Sequence, residues 1–267
     1  MALLVRTWNV FHGNAVPPER RDFLEDMVRL ASSDGPAALC LQELPVWSLP
    51  KLEEWTGMRS YGAVAARPLL GSARLGEAIT DLHHGLFRSA FTGQANAILL
   101  GPELRVVEHR HVPLNPYRFR RAQSRVLEPG LVARLAWGKE RRVCQVVRVR
   151  RGDDSIVIAN LHATSYPPDR RLADAELLRA AVFADGVARP EEPVVLAGDL
   201  NASLRTSRTL PDLLTAEWGF EGATPTGIDH ILTRGLRAGA AERWQPDRRT
   251  YDGRLLSDHA PVDREIE

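Results

Sequence analysis

Cysteine is nearly missing from this chain. Cys40 and Cys144 are the only two in 267 residues, and both lie inside apolar runs. That excludes a disulfide framework and reads as a pair of small buried hydrophobes, compatible with a reducing compartment. Lysine is equally scarce, with two against 33 arginines, and the formal net charge is only +1. Such a balance excludes a global attraction to nucleic acid or to an acidic membrane, so any preference for polyanions must come from a local patch. No apolar run approaches the length that spans a bilayer. The first polar signature starts at Thr7, which leaves no room for a cleavable signal or transit peptide before it. A cytoplasmic protein without a transmembrane segment is the expectation. Repeats and low-complexity stretches are lacking as well.

What the chain does have is 44% hydrophobic and 26% charged residues, enough to bury a large α/β core. Strands and helices alternate. Ala2–Trp8, Ala37–Gln42 and Ser60–Ala65 read as strands, a helix is expected within Pro17–Ser33 with Phe23, Met27 and Leu30 on one face, and a short one around Trp47–Trp55. Residues 67–94 are the least readable, with a short helix expected near Gly76–His83. Strands are expected again at Ala97–Leu100, Leu104–Val112, Val126–Ala136, Arg142–Val149 and Ile156–Asn160. A long helix over Asp169–Asp185 should bury Leu172, Ala175, Leu178 and Val182 and stop at Gly186. Val194–Ala197, Ile228–Leu232 and Ala260–Asp263 complete the strands.

Short polar signatures recur where apolar strands run out: Asn9 in TWNVFHGN, Glu43 in LCLQELP, His162 in IVIANLHAT, Asp199 and Asn201 in VVLAGDLNAS, Asp229 in GIDHIL, and Asp258 with His259 in LLSDHAPV. Carboxylates, amides and imidazoles converging on strand ends suit Mg²⁺, which takes hard oxygen ligands, together with a phosphate group, which takes hydrogen-bond donors. A metal-dependent phosphoester hydrolase is therefore expected. Glu43 is a candidate metal ligand, because a buried strand has no reason to end in a charge unless that charge faces a site. Gly198 allows close backbone approach beside Asp199, which could activate or orient water. Asp258 and His259 are adjacent and must do different jobs, and Asp229 is the natural carboxylate to orient the histidine. His230 divides evenly between the site rim and a plain strand position. His12, His83, His84, His109 and His111 have no spacing that makes a zinc site. Since residues from both ends of the chain belong to this one set, residues 1–267 are expected to form a single domain.

The ordered set Asn9, Glu43, His162, Asp199 with Asn201, Asp229, and Asp258 with His259 resembles the endonuclease/exonuclease/phosphatase superfamily, whose relatives include deoxyribonuclease I, abasic-site endonucleases, sphingomyelinases and inositol polyphosphate 5-phosphatases. The match covers nearly the whole chain, and Gln94–Leu99 is similar to the family's central strand. The resemblance implies a four-layer α/β sandwich, two packed and mainly antiparallel β-sheets flanked by helices. It implies Mg²⁺, or Mn²⁺, bound by Glu43 and Asp258 with Asn9 nearby. It further implies that Asn201 and His162 hold phosphate oxygens while Asp229 orients His259, with Asp199 or His259 as the base. Asn96 joins the substrate-binding candidates. Some family nucleases carry an acidic residue on the central strand that pairs with the histidine equivalent to His162. Here that strand reads Asn96-Ala97-Ile98, which argues against close kinship to deoxyribonuclease I, and the surroundings of the first two motifs do not match abasic-site endonucleases.

The substrate is less legible. Arg118 and Arg121 belong to a cluster with Arg120 and Arg125, interleaved with Tyr117 and Phe119, and a basic aromatic loop could grip nucleic acid. It could equally hold a lipid headgroup or a polyphosphate, or arginine could simply serve as the preferred cation of a chain with so few lysines. A nuclease-like phosphodiesterase, a lipid or small-molecule phosphoesterase, and a scaffold that kept the fold without the chemistry are the three readings, and the intact set of ligands speaks against the last.

Overall fold

The computed structural model describes residues 2–19, 21–68 and 92–267. Its first sheet has the order β11-β14-β1-β3-β5-β4, built from β1 (Leu3–Asn9), β3 (Ala38–Leu44), β4 (Arg59–Ala66), β5 (Gln94–Leu100), β11 (Glu242–Arg243) and β14 (Val262–Ile266). The second has the order β10-β9-β8-β7-β6, from β6 (Arg105–Pro113), β7 (Val143–Arg151), β8 (Asp154–His162), β9 (Val194–Asp199) and β10 (Asp229–Arg234). A small third sheet joins β2 (Ala15–Val16), β12 (Thr250–Tyr251) and β13 (Arg254–Leu256).

Each large sheet has one parallel pair among antiparallel neighbours: β1 with β3, linked through helix α1 (Leu24–Ser32), and β8 with β9, linked through helix α5 (Arg171–Val187). A parallel pair needs such a crossover, and the crossover lays its helix over one face of the sheet. Side-chain alternation then sorts the strands into layers. In β3, Ala38 and Cys40 face the second sheet while Leu39 and Leu41 pack under α1 with Met27 and Val28. In β9, Val195 and Ala197 face the first sheet while Val194 and Leu196 pack under α5 with Leu177, Ala180 and Ala184. The result is the helix, sheet, sheet, helix sandwich. Among the described residues no helix is long and apolar enough to cross a membrane.

The short helix expected around Trp47–Trp55 includes α2 (Leu52–Thr56). Three expectations fail. The strand expected over Val126–Ala136 is instead a helical hairpin, α3 (Tyr117–Leu127) and α4 (Leu131–Lys139). Its β-branched residues suggested a strand, but Ala133 and Trp137, four apart, close a small core with Phe119 and Leu172, and a helical period wins. In α5, Leu172 is buried but Leu178 and Val182 are exposed. The helix carries two apolar stripes, and the one rich in alanine faces the sheet because small side chains let it approach closely. Gly186 lies inside α5 and does not end it. The helix expected near Gly76–His83, and with it His83 and His84, lies outside the described residues.

Candidate active site

The two parallel pairs determine where the site forms. Strands β1 and β3, and likewise β8 and β9, all run to the same end of the sandwich and carry Asn9, Glu43, His162 and Asp199 there. In the second sheet His162 is the register partner of Asp199, and Asp199 is the partner of Asp229, so three adjacent strands lay an imidazole and two carboxylates in one row. A Cβ on Gly198, whose φ is +138°, would stand 1.9 Å from the carbonyl oxygen of Leu161, so only glycine allows β9 to close on β8 beside this row. Glu43 sits in a register shift between β3 and β5 with φ +56°, and Asn201 (+47°) and Ser257 (+59°) are also left-handed. A bulge re-aims a side chain, and non-glycine residues held at positive φ concentrate at functional sites.

Asp199 is the hub. Its Oδ2 accepts the Asn9 amide at 3.0 Å and its Oδ1 accepts the Asn201 backbone N–H at 3.0 Å. Nε2 of His162 stands 3.4 Å from Oδ2 and Nε2 of His259 stands 3.8 Å from the same atom. Nδ1 of His259 lies 2.9 Å from both oxygens of Asp229. Burial is the main force pushing the Asp199 carboxyl up to about 7; Asp229 adds to it, while His259, Asn9 and Asn201 oppose it. Burial pulls His259 the other way, but Asp229 and then Asp199 and Asp258 outweigh it and lift the imidazole to about 10.

The far nitrogen of His162 meets a different environment. The Arg142 guanidinium stands 3.0 Å from Nδ1 and the Gln94 amide 3.1 Å from it. An arginine only donates, so Nδ1 must accept and the proton must sit on Nε2, facing Asp199 and Glu43. Burial, then the Arg142 charge, hold this imidazole well below the ordinary range. Neither Gln94 nor Arg142 stood out in the sequence. The central-strand position facing His162 is residue 94, not 96, two residues earlier on the same face. Arg142 is one arginine among many.

Other candidates scatter. Asn96 is buried and its amide donates to the Val143 carbonyl, tying the two sheets together behind the site. Arg118 and Arg121 lie on the exposed side of α3. Asn201 donates its side-chain amide to the Ala163 carbonyl at 3.0 Å. His230 is fully buried between the Ala202 carbonyl and the Thr224 N–H, a satisfied structural residue. His12, set aside in the sequence, stands 3.7 Å from Glu43.

Glu43 and Asp258 offer carboxylate oxygens at the rim, a donor set that suits a hard divalent cation. Burial first, and the Glu43 carboxylate as well, push the Asp258 carboxyl up against the pull of His259; a divalent cation held between the two carboxylates would offset that repulsion. Asn9 keeps Oδ1 on the Phe11 N–H and Nδ2 on Asp199, so the contacts seen for it hold the hub. Asp199, Asp229 and His259 also bring ligand atoms within 4.8 Å of one another, a second constellation able to take a cation.

The profile of the Endonuclease/Exonuclease/phosphatase family matches residues 7–259. The chain belongs to that family of divalent-metal-dependent hydrolases acting on phosphoester bonds. Among solved structures, a functionally unknown conserved protein from Enterococcus faecalis V583 is similar with a TM-score of 0.68 at 14% identity, over 99% of each chain. An endonuclease/exonuclease/phosphatase from Beutenbergia cavernae DSM 12333 gives 0.66 at 18%, over 100% of this chain and 71% of that one. TDP2 from C. elegans gives 0.63 at 15%, over 100% and 75%. At these identities the likeness concerns the fold. No curated relative matches the sequence significantly.

Proposed function

We propose that this chain is a Mg²⁺- or Mn²⁺-dependent phosphodiesterase with nuclease-like chemistry, cutting its substrate by in-line attack of water, and that residues 1–267 act as one domain. The observation that carries the reading is the line from Asp229 through His259 to Asp199, a carboxylate-oriented imidazole facing a buried carboxylate. Asp199 is the base. Its ionisation is lifted toward neutrality, where a carboxylate best accepts the proton of an attacking water, and Asn9 and the Asn201 N–H hold it in place. His259 stays protonated at neutral pH and sets a positive charge against the phosphoryl oxygens, so it is not the base. His162 donates from Nε2 to a non-bridging oxygen, and the second N–H of the Asn201 amide supports the same group. Glu43 and Asp258 would hold the metal, which supplies charge neutralisation at the phosphoryl group.

A panel of bis-p-nitrophenyl phosphate, single- and double-stranded DNA, RNA, sphingomyelin and inositol phosphates, assayed with Mg²⁺ or Mn²⁺ and with chelator, tests the reading. Turnover that needs the ion and falls by orders of magnitude in Glu43→Gln and His259→Ala is expected. Full activity in chelator or in Glu43→Gln would sink it. A lipid-headgroup substrate is the second reading, and one observation favours it: Phe119 is packed edge-on against Trp137 with Arg179 over its face, so it is not free to stack on a base.

A further inference from the structure

The hairpin α3–α4 wears its apolar side outward. In a surface helix the apolar stripe ordinarily faces the core. In α4 the buried positions are Ala133 and Trp137, whereas Leu131, Val132 and Leu135 lie on the opposite side, 73%, 69% and 65% exposed, and Val126 at the end of α3 is 78% exposed. The outward row of α3 is Arg118, Arg121 and Arg125, at the i, i+3, i+7 spacing of one helical face. None of the three has a carboxylate partner among the described residues. Residues 117–142 hold eight basic and two acidic side chains, a net +6 within a chain of net +1.

The hairpin stands beside the candidate site and is braced there. It leaves β6 at Pro113 and returns to β7 at Val143, one register position beyond the Cys144–Leu161 pair that adjoins His162. Trp137 donates to Glu176, a fully buried carboxylate that also takes the backbone N–H and hydroxyl of Thr164, two residues past His162. Arg142, at the foot of the hairpin, touches His162 itself.

We propose that this hairpin docks on the surface of an anionic phospholipid bilayer. Aliphatic side chains enter the boundary between headgroups and acyl chains, and arginines meet the phosphates and anionic headgroups. Leucine and valine offer nothing that stacks on a nucleobase, and the one exposed ring of the hairpin, Tyr117, is a single aromatic among four exposed aliphatic side chains, where a single-strand groove lays out successive rings. A second copy of the chain would bring a like-charged arm against this one across a two-fold contact, which disfavours self-association. Docking would hold the candidate site over membrane phosphodiesters, so the proposal deepens the phosphodiesterase reading and rests on it for its consequence, though not for the binding itself.

Co-sedimentation of the whole protein with vesicles of phosphatidylcholine, with and without phosphatidylserine, tests the docking. Binding is expected only to the anionic vesicles. Leu131→Glu with Leu135→Glu should weaken it by about 10-fold or more, with melting temperature and hydrolysis of bis-p-nitrophenyl phosphate unchanged, since both side chains face solvent. Arg118→Gln, Arg121→Gln and Arg125→Gln together should weaken it by roughly 100-fold, at about 5-fold per arginine. His259→Ala should bind like the wild type, which separates failure of docking from failure of the chemistry. The proposal is overturned if the wild type ignores anionic vesicles or if the double glutamate variant binds them unchanged. It is equally overturned if that variant turns a wild-type dimer into a monomer, or if it loses DNA binding and keeps the vesicles.

Discussion

Two imidazoles, His162 and His259, approach the same oxygen of Asp199 through their Nε2 atoms, at 3.4 and 3.8 Å, and differ in what stands behind them. Asp229 backs His259 with two carboxylate oxygens; Arg142 and Gln94 back His162 with donors. Both rings are largely buried, and burial alone would push both toward the neutral form. The group behind Nδ1 therefore decides the charge. One ring is held as a cation with both nitrogens donating, the other as a neutral donor with its proton fixed on Nε2. The hub carboxylate is thus flanked by one full charge and one dipole, so two copies of the same side chain present different electrostatics to one oxygen.

Breaking the charged side should cost most. Asp229→Ala and His259→Ala are each expected to lower kcat/KM on the order of 10³-fold, and because the pair acts as a unit the double variant should lose about as much as either single one. Additive losses in a steady-state assay of the three variants would dissolve the dyad.

The pH dependence sharpens the same contrast. Activity should fall as pH drops through about 7, where Asp199 takes up its proton, and again as pH rises through about 10, where His259 gives its proton up. Asp229→Asn should bring the alkaline limb down toward the ordinary histidine range. Stability follows the same sign. The raised value belongs to the folded state, so the pairing contributes in full below the ordinary 6.5 and is lost as pH climbs through about 10. Melting temperatures of the wild type and Asp229→Asn should therefore converge across that window.

The charged side was legible in the sequence and the neutral side was not, for a physical reason. Asp199, His259 and Glu43 stand where an apolar run ends in a charge and Asp229 where one begins with it, a conflict visible without coordinates. The sandwich was legible likewise, since strands such as Val194–Ala197 are apolar at every position because both faces are covered. Gln94 and Arg142 break no such local rule. Gln94 opens a strand as an ordinary polar residue, and its approach to His162 depends on how β5 packs across the two sheets. The hairpin was misread because Val126, Leu127, Leu131 and Val132 satisfy strand preferences, and only the packing of Trp137 on Glu176 and Phe119 selects helices.

On the neutral side, Arg142→Gln removes a charge but leaves a side chain able to donate or accept. His162 can then hold its proton on either nitrogen, and a loss of about 10- to 100-fold in kcat is expected, the range for removing a group that orients a working imidazole. Nitrogen-15 spectra of labelled histidine should show the wild-type His162 as a single Nε2–H tautomer and the variant as a mixture; a single unchanged tautomer would remove Arg142 from the argument.

The smallest change asks the sharpest question, whether the partner alone makes the two rings different. Gln94→Glu sets a carboxylate 3.1 Å behind Nδ1 of His162, where Asp229 stands behind His259. Arg142 remains and competes for the new carboxylate, so the ring gains only part of the attraction and the rate should change by no more than a few-fold, about the size of a shared charge-assisted hydrogen bond. The proton, however, has a new place to go. With Arg142→Gln added to Gln94→Glu, no donor charge opposes it, and Nδ1 of His162 should become protonated in the same spectra. Should Nδ1 stay bare in that double variant, burial rather than the partner would govern the ring, and the contrast between His162 and His259 would need another cause.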